Sequence, residues 1–260
     1  MQRFKNSIVI NDELKINPFQ LKNKIVMKKF MSFSFLLAFV VSLSCNVQAA
    51  SRTLDLDPFS GISLNNSFNV ILKQGSKQSV KIEGSQEVIN DINTTVKDGN
   101  WSIHTKKKNG KWNNNNKSKT TVYITIPKLK KLAVSGSGSI EAGDFNVNDL
   151  KLAIGGSGKI KINVSASGDI KSAISGSGNM NLSGKAQSLT ASIAGSGSVV
   201  GKTLSVKTMK ASIAGSGNVY AEVSSSINAS IAGSGSVYYT GSASNVSSKT
   251  SGSGRVKKRS

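Results

Sequence analysis

Residues 150–158 read LKLAIGGSG, 170–178 IKSAISGSG, 189–197 LTASIAGSG, 209–217 MKASIAGSG and 227–235 INASIAGSG. The tripeptide Gly-Ser-Gly begins at Gly136, Gly156, Gly176, Gly195, Gly215, Gly233 and Gly252, at steps of 20, 20, 19, 20, 18 and 19 residues. So even a period is the signature of a repeat architecture and takes precedence over local readings. Two places before the first glycine stand Val134, Ile154, Ile174, Ile193, Ile213 and Ile231. Four places before stand Leu132, Leu152, Ser172, Ala191, Ala211 and Ala229. Four places after stand Ile140, Ile160, Met180, Val199, Val219, Val237 and Val256. Side chains of one kind at every second place mark a strand with one buried face.

Each repeat therefore reads as strand, Gly-Ser-Gly corner, strand and a looser polar turn such as SASGD (165–169) or SGKAQ (183–187). One repeat buries only a handful of aliphatic side chains, at roughly 1.5–3 kcal/mol each. Ordering its backbone costs on the order of 1–2 kcal/mol per residue. A lone unit is unstable, and stacked units share one core. The expected fold is all-β: a parallel β-helix or solenoid with about 20 residues per repeat, whose six steps of ~4.8 Å make a rod of about 29 Å. An antiparallel meander is the competing geometry. Matching residues at equivalent positions favour the coil, because like then stacks on like.

Working outward, residues 50–131 alternate without the glycine repeat and read as an N-terminal β segment of the same or a packed sheet. Val96 to Ile103 reads as a hairpin about Asp98-Gly99, and TVYITI (121–126) as a strand ended by Pro127. No stretch shows helical periodicity. Upstream, Met27-Lys28-Lys29, the apolar run Phe33–Leu43 and Val47-Gln48-Ala49 have the layout of a secretory signal cleaved after Ala49. The organisation read from the sequence is thus 1–49 extension and signal, with a start at Met27, 50–131 N-terminal β segment, 132–256 repeats and 257–260 basic tail.

The single cysteine, Cys45, falls in the discarded signal, where Ser42 stands at the place a lipobox gives to a Leu-like residue. The exported chain has no thiol for a disulfide or a metal site. It keeps 27 of the 34 basic and 11 of the 13 acidic residues, a balance of +16. That charge favours anionic surfaces: an acidic glycan, lipopolysaccharide or anionic lipid, with nucleic acid the less expected partner of an exported protein.

Chemistry is sparse. His104 is the only histidine, which leaves no zinc set and no catalytic triad. The nearest acid pairs, Asp55/Asp57 and Asp144/Asp149, are not repeated along one face as a glycan-cleaving site would need. The residues after each Gly-Ser-Gly are Ser, Lys, Asn, Ser, Asn, Ser and Arg, so calcium ligation at these corners is not expected. No cofactor, metal or catalytic residue is expected.

Two surface features are candidates for binding. One is a strip of small residues before each corner, with Ala153, Ala173, Ala194, Ala214 and Ala232 among its members. It suits docking of a protein partner, a second subunit or a regular polymer, unless tight corners simply admit nothing larger. The other is the stretch KKKNGKWNNNNKSK (106–119), where Lys106, Lys107 and Lys108 precede Trp112. An aromatic ring among cations stacks on sugars or bases.

The chain resembles the head GIN domain family, the auto-transporter adhesin domain, over about residues 53–256. The resemblance rests on FSGISLNNSFNVILKQG (59–75), VKIEG (80–84), DGNWSI (98–103), YITIPKLKKLAVSGSGSI (123–140) and the serial Gly-Ser-Gly strands. It implies a β-helical domain behind a signal peptide in bacterial envelope proteins, and brings no catalytic set. An auto-transporter also carries a C-terminal barrel of ~10-residue alternating strands. The sequence runs only to Ser260 after the last repeat, so an adhesin without self-transport is expected. The expected function is an exported, non-enzymatic surface or envelope module of adhesin-like or structural type. The alternatives are a polysaccharide-active β-helix enzyme and an accessory subunit of an envelope assembly.

Overall fold

In the computed structural model the described residues are 50–106 and 120–259. The signal-like segment 1–49 lies outside them. The repeats form coils of a parallel solenoid, and the meander is excluded. Strands β8 (Lys131–Gly136), β10 (Leu150–Gly156) and β12 (Asp169–Gly176) pair in parallel with Leu132 opposite Leu152 and Ile154 opposite Ile174. After each corner β9 (Ser139–Val147), β11 (Lys159–Ala166) and β13 (Asn179–Gly195) do the same, with Ile140, Ile160 and Met180 in register. Strand β13 then continues past 183–187 without a break, since its backbone stays paired there, and its second half lies on β12. The looser turn at SGKAQ is therefore a bend within a strand, with Gly184 at φ +105°. Strands β14 (Ser198–Gly215) and β15 (Asn218–Gly233) repeat this, and β16 (Ser236–Thr240), β17 (Asn245–Ser251) and β18 (Arg255–Lys258) finish the stack.

The alternating aliphatics line the interior. Ile154, Ile174, Ile193, Ile213 and Ile231 are each 2–3% exposed. Ser172 is the polar exception in a column otherwise Leu or Ala, and its hydroxyl donates to the Thr190 carbonyl at 3.2 Å. A buried hydroxyl so paired costs little.

The N-terminal segment belongs to the same sheet, but not in chain order. Strands β2 (Gly61–Leu64) and β3 (Asn69–Gln74) lie directly beneath β8 and β9, while β6 (Asn100–Ile103) and β7 (Thr121–Ile126) lie beneath β2 and β3. The later segment thus forms the outermost level. Beyond β7 the pairing turns antiparallel, through β4 (Ser79–Gly84) to β1 (Ala50–Leu54). Strand β5 (Val96–Lys97) makes the expected hairpin with β6, and Asp98 and Gly99 sit at φ 50° and 66°.

One short helix, α1 (Gln86–Asp91), corrects the expectation of an all-strand segment. Ser85 caps it by accepting from the Val88 N–H at 3.4 Å, and Val88 and Ile89 are buried. Six residues are too few to display a helical period, so the pattern stayed silent. Beside it Trp101 is fully buried, donates through Nε1 to the Asn93 carbonyl at 3.0 Å and lies 5.7 Å from the Phe59 ring. Helix, hairpin and antiparallel strands close one end of the stack. At the other end, every residue of β17 is exposed.

Candidate interaction face

Strands β8, β10, β12 and the later halves of β13, β14 and β15 present their outward side chains as straight columns. One column runs Ala133, Ala153, Ala173, Ser192, Ser212, Ser230. The next runs Ser135, Gly155, Ser175, Ala194, Ala214, Ala232. Nothing larger than serine stands in either, so the strip is smooth over six levels. It extends downward through Ser63 and Ser102. Ala153 is half-buried, while Ala173, Ala194, Ala214 and Ala232 are exposed. A Cβ built on Gly155 meets nothing within 4 Å. Packing therefore does not impose the small size there.

A third column borders the strip, and the apolar alignment of the sequence overlooked it: Lys131, Lys151, Lys171, Thr190, Lys210, Asn228. Its signal was present five places before each first glycine. Of the other candidate cations, Lys106 is exposed and its N–H donates to the Asp91 carbonyl at 2.7 Å. Lys107, Lys108 and Trp112 lie outside the described residues.

The outward side after the corner is different. Asn69, Ser139, Lys159, Asn179, Ser198, Asn218, Ser236 and Arg255 form a polar column. Beside it Tyr220 and Tyr238 stack at 4.8 Å between centroids and 14° between planes, with the Arg259 guanidinium 4.1 Å over Tyr238. The stack ties the last strand to its neighbours. Tyr238→Ala is expected to lose about 0.5–1.5 kcal/mol from this aromatic pair and the cation contact with it. Hydrogen exchange should show β18 amides opening faster; unchanged β18 protection would assign the stack no anchoring role.

Several acids are engaged in structure. Asp149 and Asp169 lie on successive levels, which sequence neighbourhood alone did not reveal. The Asp149 Oδ1 accepts from the Asp169 N–H at 2.8 Å, and the Asp169 Oδ1 accepts from the Ser188 hydroxyl at 2.6 Å. Asp144 pairs with the Asn163 amide at 2.5 Å. His104 is half-buried, with Nδ1 3.1 Å from the Ser102 carbonyl. At the closed end Lys81 lies 2.8 Å from Glu83 and holds that carboxyl below the usual carboxylate range, while Glu83 raises the phenol of Tyr123. Among the described residues no cluster of three or more His, Cys, Asp or Glu is placed to hold a metal. No helix among them is long and apolar enough to cross a membrane.

A family model described as "Putative auto-transporter adhesin, head GIN domain" matches residues 58–243. None of the curated proteins matches. Among solved structures, a putative adhesin from Bacteroides fragilis superposes with a TM-score of 0.71 at 24% identity, over 82% of this chain and 98% of that one. A putative lipid binding protein from Parabacteroides distasonis gives 0.64 at 22% identity, over 83% and 98%. A putative adhesin from Parabacteroides merdae gives 0.62 at 20% identity, again over 83% and 98%. At these identities the likeness speaks for the fold.

Proposed function

Because the chain belongs to the head GIN domain family of putative auto-transporter adhesins, we propose that it is an exported surface module that docks an extended polymer and catalyses no reaction. The observation that carries this reading is the two-column strip of Ala, Ser and Gly, smooth over six levels and open outward at Gly155. A rigid solenoid whose backbone can be approached closely along its axis offers a long partner many weak, equivalent contacts at low ordering cost. Two acids that successive levels bring near each other, Asp149 and Asp169, accept hydrogen bonds from a backbone N–H and a hydroxyl.

The test blocks the strip without changing charge. Full-chain wild type and the triple variant Ala173→Gln, Ala194→Gln, Ala214→Gln are passed over lipopolysaccharide and a panel of neutral and acidic polysaccharides. Retention of the wild type on at least one surface, weakened tenfold or more in the variant, is the expected result. Equal retention of both proteins, with equal oligomeric state, removes the docking face; so does a wild type that binds nothing on the panel.

A further inference from the structure

Lys131, Lys151 and Lys171 stand directly opposite one another on three successive levels. Like charges facing across a parallel pair oppose folding, yet among the described residues no ion pair relieves this column. Among the described residues the ion pairs are Lys81–Glu83 and Lys161–Glu141, and neither involves this column. The column opens at its turn end into a groove of about 1220 Å³, to whose wall Lys128, Lys130 and Lys185 add further cations. Asp149 is the only acid lining it, and its Oδ1 already accepts from the Asp169 N–H. Five lysines around one recess that holds a single carboxylate, with Thr190, Lys210 and Asn228 continuing the column beyond, amount to a site suited to negative charge.

We infer that the groove and the lysine column bind an acidic polysaccharide of the uronic-acid class, laid along the solenoid axis. The assignment rests on the docking reading above and gives it a site and a ligand class. The cations recur at the coil spacing of about 4.8 Å. A linked pyranose ring advances its chain by close to that distance, so a uronan laid along the axis keeps its carboxylates within reach of the long lysine side chains. The small-residue strip beside the column lets the sugar rings lie against the strands. Single-stranded nucleic acid is served less well, because it is held on aromatic platforms and no aromatic residue lines the groove. A membrane surface presents headgroups on a plane, whereas these cations line a recess.

The experiment measures affinity of the full chain for polygalacturonate oligomers, with neutral dextran as the uncharged control, across a salt series. The variant Lys131→Gln, Lys151→Gln, Lys171→Gln is compared with a charge-matched variant, Lys77→Gln, Lys97→Gln, Lys257→Gln. All six side chains are exposed, so both variants keep the fold, and melting curves verify it. The ladder variant should lose at least tenfold in affinity and most of the salt dependence, the matched variant less than about threefold. Equal losses would reduce the effect to net charge and overturn the assignment. So would an absence of binding to polygalacturonate, or a ladder dependence found only for phosphatidylglycerol vesicles or single-stranded DNA. The Gln-blocked strip separates the two readings: if it leaves polygalacturonate affinity intact while the ladder variant loses it, the lysine site stands and the docking face falls.

Discussion

Gly215→Ala should unfold the coils around it, whereas Gly155→Ala, at a glycine next to another corner, should be neutral or mildly stabilising. Gly215 sits at φ +126°, a region that side chains rarely enter, and the strain alone costs about 1–3 kcal/mol. A Cβ there would also lie 2.4 Å from the Gly195 carbonyl oxygen, which is backbone and cannot swing aside. That oxygen accepts from the N–H groups of Ser216 at 2.9 Å and Gly217 at 3.1 Å. Moving it therefore loosens both bonds, each worth about 1 kcal/mol net. The sum, about 3–5 kcal/mol, reaches the ~4 kcal/mol that marks an exceptional substitution. Gly136 separates the two causes: it has φ +118° but open space about its would-be Cβ, so Gly136→Ala should cost the strain alone. Gly155 has neither problem, and stiffening the unfolded chain there gains about 0.4–1 kcal/mol. Urea midpoints of the three variants provide the ranking. A Gly215→Ala protein within 1 kcal/mol of wild type would mean that the corners tolerate displacement, contrary to this geometry.

The part of the fold legible in the sequence is the part in which each coil repeats its neighbour. The columns of Ile154, Ile174, Ile193 and Ile213 and the corner glycines follow from one alignment, because parallel stacking turns a sequence period into a spatial one. The N-terminal levels were not legible as a stack. Their order requires the segment of β6 and β7 to lie beyond that of β2 and β3, and alternation says which face is buried, never which strand is next. Helix α1 escaped for its shortness.

The candidate surface divides in the same way. The small-residue strip was legible because its members repeat at fixed places. The lysine column repeats just as plainly at Lys131, Lys151 and Lys171, but exposed cations look like ordinary solvation until pairing sets them face to face. The groove that gathers Lys128 and Lys185 beside them follows the turn edge of successive levels. Its positions recur with the repeat, but the turn residues differ in kind from level to level, so no column of like side chains marks it.

Ile193→Ala should cost about 2–5 kcal/mol, the range for truncating a buried aliphatic that its surroundings cannot replace. Ile193 is 3% exposed and lies in register between Ile174 and Ile213. Its Cγ2 occupies the ground beneath a corner, 2.6 Å from where a Cβ on Gly217 would stand. Glycine backbone bonded to the level below cannot sink into the space left by the missing methyls, so the cavity persists. Val246 on the last strand is 40% exposed, and Val246→Ala should stay within about 0.5 kcal/mol. The location of the damage is as informative as its size. In a stack held by nearest neighbours, weakening one interior contact loosens the levels on its unclosed side first. The N-terminal side is closed by α1 and the buried Trp101. Hydrogen exchange of Ile193→Ala should then accelerate across β14 to β18 while β2, β3, β8 and β9 keep their protection. Equal loss of protection at both ends would show one all-or-none unit, and the one-dimensional account of this solenoid would fail.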